Sequence, residues 1–389
     1  MRFEFATAGR IVFGAGAARD VAPAAREMGR RALVVTRGSG DAAAWLMKQL
    51  ETAGVSCLPF GVEGEPTLDL VRSGLEQARR GSCDLVIGLG GGSALDAGKA
   101  IAALLTNPGE PLDYLEIIGR GQPLQHRAAP FIAVATTAGT GSEVTRNAVL
   151  GSPEYRVKVS MRSPLMLPIL AVVDPELALG LPPAITASTG LDALTQLIEP
   201  YVSVRANALT DGFCLEGLRR VRRALRRAYH HGGDIEARTD MALASLLGGL
   251  SLANAALGIV HGFAAPIGGM FPAPHGAVCA AVLPHGMAIN IRALRSRSAP
   301  DSEALRRYRT VACLLTGKAD AEPEDAVLWV RELCRELKVA PLQSYGITQG
   351  DVSILVEKAS GASSTKGNPI VLNTDELREI LVESLTLDC

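Results

Sequence analysis

"CDLVIGLGGGSALDAGKAIA", residues 83–102, joins an apolar run without alternation to three glycines and a serine, and then to a helical pattern. A strand that is apolar on both sides is expected to be covered on both faces, as in a parallel sheet. "RALVVT" (31–36), "FIAVATT" (131–137) and "ILAVVD" (169–174) have the same character, and each ends in Thr or Asp. Between the runs lie helical patterns such as "DAAAWLMKQLETAG" (41–54) and "PTLDLVRSGLEQARRG" (66–81). This rhythm predicts an α/β domain with a parallel sheet, whose ligands bind beyond the carboxyl ends of the strands.

After "DPELALGLPP" (174–183) the strand signals stop and helical patterns follow one another, among them "PEDAVLWVRELCRELKV" (323–339). The prolines near Leu181–Pro183 mark the boundary. The expected organisation is an α/β dinucleotide-binding domain over 1–181 and an all-helical domain over 182–389. Two domains also suit a chain of 389 residues, which is long for a single core.

The net charge of −1 gives no reason to expect nucleic acid or an anionic membrane as partner. Seven cysteines (57, 83, 214, 279, 313, 334 and 389) are scattered and form no CxxC pair. That pattern predicts reduced thiols in the cytosol, without a disulfide framework or zinc ribbon. "MRFEFATAGRIVFGAG" lacks the continuous apolar stretch of a signal peptide. "LASLLGGLSLANAALGIVHGFAAPIGGMF" (243–271) is long enough to span a membrane. Its Asn254, His261, Pro266 and glycines, with no flanking anchors, favour buried helix in a soluble domain. "LRRVRRALRRAYHH" (218–231) places Leu218, Val221, Leu225 and Ala228 on one face, so its six arginines read as a solvated basic face.

Glycines in the 90–93 loop let a phosphate approach the backbone, and the helix behind it offers unpaired N–H groups. A structural tight turn is the alternative. A second small-residue turn, "VATTAGTGSEVT" (134–145), also follows a strand, and two such loops side by side suit a dinucleotide. Its hydroxyls alternatively cap the next helix.

In "LDALTQLIEPYV" (191–202), Asp192 and Gln196 lie one helical turn apart among apolar neighbours. A buried carboxylate there needs a partner. His261 and His275 flank a helix–turn–helix in the same domain and point to divalent-metal ligation, against the alternative of satisfied core histidines. His126, His230 and His231 read as surface residues, and His285 as structural.

Taken together, "GRIVFGAGA" (9–17), "GGGSALDAGKA" (90–100), "TTAGTGSEVT" (136–145), "GLDALTQLIEPYVS" (190–203), "VHGFAAPIGG" (260–269), "APHGAVCAAVLPH" (273–285) and "KGNPIVLNTDELREIL" (366–381) resemble, in order, the signature segments of the iron-containing (group III) alcohol dehydrogenases. The resemblance runs from about residue 8 to 385. It implies a dehydroquinate synthase-like nucleotide-binding domain, an all-helical domain and a cleft between them. It also implies NAD(P), a divalent metal (Fe²⁺ or Zn²⁺), a small alcohol or aldehyde substrate, and a cytoplasmic homodimer.

Carried over by position, Gly90, Gly91, Gly92 and Ser93 hold the pyrophosphate, and Thr136, Thr137 and Thr140 form the second cofactor loop. Asp96 takes the acidic position near the nicotinamide. Asp192, His261 and His275 are three of four metal ligands. The family's fourth is a histidine where this chain has Gln196, and a further family histidine is Ala265 here. Arg37 follows "RALVVT" (31–36), where NAD-preferring members tend to carry an acid, which leans the cofactor toward NADP(H). The changed ligand set leaves open weaker metal binding, a different ion, or a metal-independent reductase of a carbonyl acid of the maleylacetate reductase type. In that last case His261 and His275 donate hydrogen bonds to the oxyanion, with Lys366 as a further source of charge; the alternative reading of Lys366 is a solvated loop lysine. A dehydroquinate synthase-like lyase and a nucleotide-binding protein without catalysis are the more distant alternatives.

Overall fold

The structure is a computed structural model that describes residues 2–37 and 40–386. Two compact units divide the chain: Ala6–Gly180, and Met1–Phe5 together with Leu181–Cys389. The break falls between Gly180 and Leu181, and the first residues join the helical unit, where Phe5 packs against Phe213 with ring centroids 5.8 Å apart.

The first unit holds strands β1 (Arg10–Phe13), β2 (Arg31–Thr36), β3 (Ser56–Gly61), β4 (Leu85–Gly90), β5 (Phe131–Ala135), β6 (Asn147–Ser152), β7 (Val157–Arg162) and β8 (Leu170–Val173). Its helices are α1 (Val21–Met28), α2 (Asp41–Thr52), α3 (Leu68–Arg80), α4 (Gly92–Thr106) and the single turn α5 (Pro111–Tyr114). Six strands form a parallel sheet in the order β1-β8-β5-β4-β2-β3. The four predicted runs are its four interior strands. One face packs Val34, Ile87, Val134 and Val172 against Val21, Leu46 and Leu50 of α1 and α2. On the other face α4 lies so close that a Cβ on Gly88 would sit 3.1 Å from Leu95.

The edge strands escaped the pattern. β1 has one exposed and three half-buried residues, and β3 carries Pro59, which a sheet tolerates at an edge. An antiparallel hairpin, β6–β7, pairs Asn147 with Arg162 through Ser152 with Val157 and is a further element the sequence did not announce. From β2 the chain moves outward to β3, whereas from β4 it moves the other way to β5 and β8. The direction therefore reverses between β2 and β4, and ligands of such sheets bind beyond the strand ends at that point.

The second unit consists of α6 (Pro183–Val202), α7 (Ala208–His230), α8 (Ile235–Ala255), α9 (Ile259–Met270), α10 (His275–Arg297), α11 (Glu303–Thr316), α12 (Pro323–Glu336), α13 (Val352–Gly361) and α14 (Thr374–Thr386). Helix α6 is surrounded by α7, α8 and α10 and is buried continuously from Gly190 to Val202. The long apolar stretch is two helices, α8 and α9, bent by 98°. Helix α10 is long and apolar enough to cross a membrane, but 83% of its apolar window is buried inside the protein. On α7 the predicted face is buried, and most of its arginines meet acids: Arg220 and Arg223 share Asp240, Arg226 meets Glu336, and Arg227 meets Asp234. The six described cysteines are free thiols. Cys389 lies outside the described residues.

Candidate active site

The glycine loop sits where the sheet reverses. Gly91 is the extended residue before α4, and the first helical bond runs from Leu95 N–H to Gly91 O, so the N–H groups of Gly92, Ser93 and Ala94 have no partner within the helix. The threonine loop leaves the neighbouring strand β5 and lies directly against it. A Cβ on Gly91 would meet Thr137 Oγ1 at 3.0 Å, and one on Gly92 would meet Thr140 Cγ2 at 2.8 Å. Thr136 N–H donates to Gly90 O (3.0 Å). Arg37 is exposed at the end of β2, its backbone nitrogen 4.0 Å from where a Cβ of Gly90 would stand. The loops after β2, β4 and β5 thus converge at one edge.

Alanine in place of Gly92 would press a methyl into the stiff, β-branched Thr140. Overpacking of that kind costs about 1–3 kcal/mol. Gly92→Ala is expected to raise the nucleotide Kd on the order of tenfold to a hundredfold while the fold survives, read by nucleotide titration and circular dichroism.

Asp96 is held by groups of the protein itself. Its Oδ1 accepts from Ser142 Oγ (2.6 Å) and lies 3.1 Å from Lys99 Nζ, and its Oδ2 accepts from Val149 N–H (3.0 Å). With both oxygens engaged by the protein, Asp96 positions the second loop and the hairpin. Lys99, fully buried, donates to Ser142 O (3.0 Å), Thr145 Oγ1 (2.9 Å) and Asn147 O. Burial presses its amine below the ordinary value, with Asp96 opposing. Nearby Glu143 is also buried, and desolvation pushes its carboxyl up to about 7 against the pull of Lys99. Neither Lys99 nor Glu143 was singled out in the sequence.

In the helical unit, α6 presents Asp192, Gln196 and Glu199 along one side, at spacings of one and two turns. Helix α9 is fixed at its first turn. Val260 N–H donates to Glu199 Oε1 (2.7 Å), and Ile259 N–H donates to Asn368 Oδ1 (3.2 Å). Gly258 permits this, since a Cβ there would stand 2.8 Å from Glu199 Oε1. The chain reaches that point through Ala256, held at φ 62° and ψ −178°, a conformation that strains a residue with a side chain.

His261 follows directly. Its Nδ1 lies 2.6 Å from Glu199 Oε2. A carboxylate only accepts, so Nδ1 carries the hydrogen and Nε2 is directed to the opposite side, the usual support for a ligating imidazole. Helix α10 begins at His275 after Pro274, and Gly276 lets it approach the Ser188 carbonyl of α6 more closely than a side chain would allow.

These contacts converge on Asp192. His261 Nε2 is 3.4 Å and His275 Nε2 is 3.8 Å from Asp192 Oδ1. Asp192, His261 and Cys279 are buried, and His275 keeps 35% of its side-chain surface. Cys279, one turn after His275, has its Sγ 3.8 Å from each Nε2. One ligand atom from each of these four residues lies within 4.8 Å of the other three. Among the described residues, no hydrogen-bond donor reaches the buried Asp192 Oδ1 and Gln196 Oε1, and Gln196 Oε1 lies 3.5 Å from where a Cβ of Gly248 on α8 would stand.

Burial opposes charge on Asp192, but the neighbouring His275 and His261 imidazoles outweigh it and hold its carboxyl below the ordinary range. Burial likewise opposes charge on His261 and His275, and the surrounding anionic partners raise both. An acceptor without a donor, faced by two imidazoles and a thiol, fits a divalent cation.

The predicted set Asp192, His261 and His275 is therefore brought together. Gln196 lies one turn on along α6. Ala265 offers no titratable group on α9, and Lys366 is exposed. His126, His230 and His231 are exposed, whereas His285 is buried and bound to Glu383 (2.9 Å). Cys279 and Glu199 were missed, although the spacings of four residues from His275 and seven from Asp192 carried the signal.

Residues 8–175 match the family model described as "Iron-containing alcohol dehydrogenase", and residues 186–385 match "Fe-containing alcohol dehydrogenase family, C-terminal". The chain is 38% identical over 326 residues to alcohol dehydrogenase 4 of Schizosaccharomyces pombe, covering 84% of this chain and 74% of that one. It is 37% identical over 359 residues to the 1,3-propanediol dehydrogenase of Klebsiella pneumoniae, covering 90% of each. Its fold superposes on a crystal structure of 1,3-propanediol oxidoreductase with a TM-score of 0.91 at 32% identity, over 99% of this chain and 100% of the other.

Proposed function

The chain belongs to the iron-containing alcohol dehydrogenase family, and from that premise we propose that it interconverts small primary alcohols and their aldehydes with NAD(P), assisted by a divalent cation at Asp192, His261 and His275. The observation that carries this reading is the buried, donorless Oδ1 of Asp192 faced by two imidazole nitrogens. A cation held there supplies Lewis acidity to the substrate oxygen, worth several kcal/mol of charge stabilisation.

The protein's own groups supply the rest. Glu199 fixes the His261 ring and its tautomer, and the first turn of α9 is tied down on both Glu199 and Asn368. The half-open side chain of His275 marks the accessible side of the cluster. In the other unit, the N–H groups of Gly92, Ser93 and Ala94, which have no partner within the helix, suit a pyrophosphate, and Thr136, Thr137 and Thr140 line the adjacent loop. Arg37 at the strand reversal supports acceptance of a 2′-phosphate, hence use of NADPH. Free thiols at the six described cysteines support a reducing compartment.

Elemental analysis of the purified protein, and aldehyde reduction with NADH and NADPH before and after exhaustive chelation, test the proposal. The expected result is a loss of turnover on chelation, on the order of a hundredfold or more, that is restored by Zn²⁺ or Fe²⁺. Full activity after metal removal would overturn it and assign the oxyanion to hydrogen bonds from His261 and His275, as in a metal-independent carbonyl reductase.

A further inference from the structure

We propose that Cys279 is a direct thiolate ligand of the cation, replacing on α10 the donor that α6 lacks at Gln196. This rests on the reading of the Asp192 cluster as a cation site and concerns which atoms complete it.

The argument begins with geometry. His275 and Cys279 stand one turn apart on α10, so their donors share a face. Cys279 is fully buried, and its sulfur is equidistant from the two imidazole nitrogens, at 3.8 Å. Tetrahedral bonds of about 2.0 Å to nitrogen or oxygen and about 2.3 Å to sulfur separate donors by about 3.3–3.6 Å. The separations of 3.4 and 3.8 Å to Asp192 Oδ1 and 3.8 Å to Cys279 Sγ are within about half an ångström of that requirement.

Charge makes a second, independent argument. With Asp192, two neutral imidazoles and the Gln196 amide, a divalent ion would keep one uncompensated positive charge in a buried setting. A Cys279 thiolate joins the Asp192 carboxylate to balance the ion fully, which a low-dielectric site favours. The Gln196 amide oxygen, against Gly248, is in addition a weaker donor than sulfur for the later divalent metals. A thiolate in the donor set shifts preference toward Zn²⁺ and away from Mg²⁺ or Mn²⁺.

The test is cobalt substitution of the whole protein. After metal stripping, Co²⁺ is titrated in, its stoichiometry is measured by elemental analysis, and the near-ultraviolet thiolate-to-cobalt charge-transfer band is recorded. The parent is expected to take one Co²⁺ per chain and to show the band. Cys279→Ser, with the remaining thiols intact, should lose the band and bind Co²⁺ and Zn²⁺ at least about tenfold more weakly, the minimum for groups that merely support a ligand. Gln196→Ala should keep the band. Gln196→His combined with Cys279→Ser should regain stoichiometric binding without it.

Stoichiometric Co²⁺ in the parent without the band would overturn the assignment of Cys279 and leave the cation site standing. Failure of the parent to bind Co²⁺ or Zn²⁺ would overturn both. Should Cys279→Ser fail to fold, the parent spectrum beside that of Gln196→Ala decides the question.

Discussion

Asp192→Ala is expected to lower kcat/KM for aldehyde reduction by about a thousandfold or more, with metal content reduced in parallel. Asp192 carries the buried acceptor on which His261 and His275 converge, and it is the carboxylate of the cluster. Removing a single preorganised group that stabilises developing charge costs roughly a hundred- to a thousandfold in rate. Losing the anionic anchor of the cation removes that stabilisation together with the ion, and a thousandfold corresponds to about 4 kcal/mol. The metal-free variant should nevertheless melt within a few degrees of the metal-free parent, because a buried acceptor without a donor contributes little to stability. Nucleotide affinity should be retained, since the N–H groups proposed to hold the pyrophosphate belong to α4. Parent-like turnover by Asp192→Ala, with the metal still bound, would remove Asp192 from the chemistry.

The contrast between activity and stability follows from how α6 is built. Its buried length is apolar apart from a few polar positions, among them Asp192, Gln196 and Glu199. Glu199 is satisfied, holding a backbone N–H and the His261 ring, while Asp192 Oδ1 and Gln196 Oε1 are not. Asp192 Oδ1 belongs to the four-residue cluster, and Gln196 follows one turn on along α6. A helix optimised for packing alone would carry neither.

The interior of the sheet could be read from the sequence because β2, β4, β5 and β8 are covered on both faces and therefore contain almost no polar residues. The edges could not be read in that way. β1 and β3 are short or half-exposed, and β3 carries a proline, so neither periodicity nor hydrophobicity separates them from loops. The β6–β7 hairpin has an alternating burial pattern that six-residue windows only weakly reveal.

At the site, Asp192, His261 and His275 stood out because each is a rare polar residue in an apolar context. Cys279 did not, since a buried cysteine is itself a common core residue and only the approach of three helices gives it partners. The partners of Asp96 were hidden for a related reason. Its position beside the glycine loop suggested chemistry, whereas its partners at Ser142, Lys99 and Val149 come from segments whose proximity only the fold reveals.

Lys99 illustrates the same limit with a large predicted consequence. Its ammonium is fully buried among Asp96, Ser142 O, Thr145 Oγ1 and Asn147 O, fastening α4, which opens at the glycine loop, to the segment that continues from the threonine loop into β6. Lys99→Met preserves most of the volume but leaves Asp96 without its cation and several acceptors without donors. Breaking a buried pair from one side costs about 3–5 kcal/mol, a large fraction of a domain's usual 5–15 kcal/mol. For a unit of this size that corresponds to a melting transition lowered on the order of 10 °C. Nucleotide affinity should fall by about tenfold as the two loops lose their common anchor. Adding Asp96→Asn should recover part of the lost stability, because the carboxylate stranded by Lys99→Met is then gone. A transition within about a degree of the parent's, with unchanged nucleotide affinity, would show that the two loops are held by packing alone and that the ammonium is not their clamp.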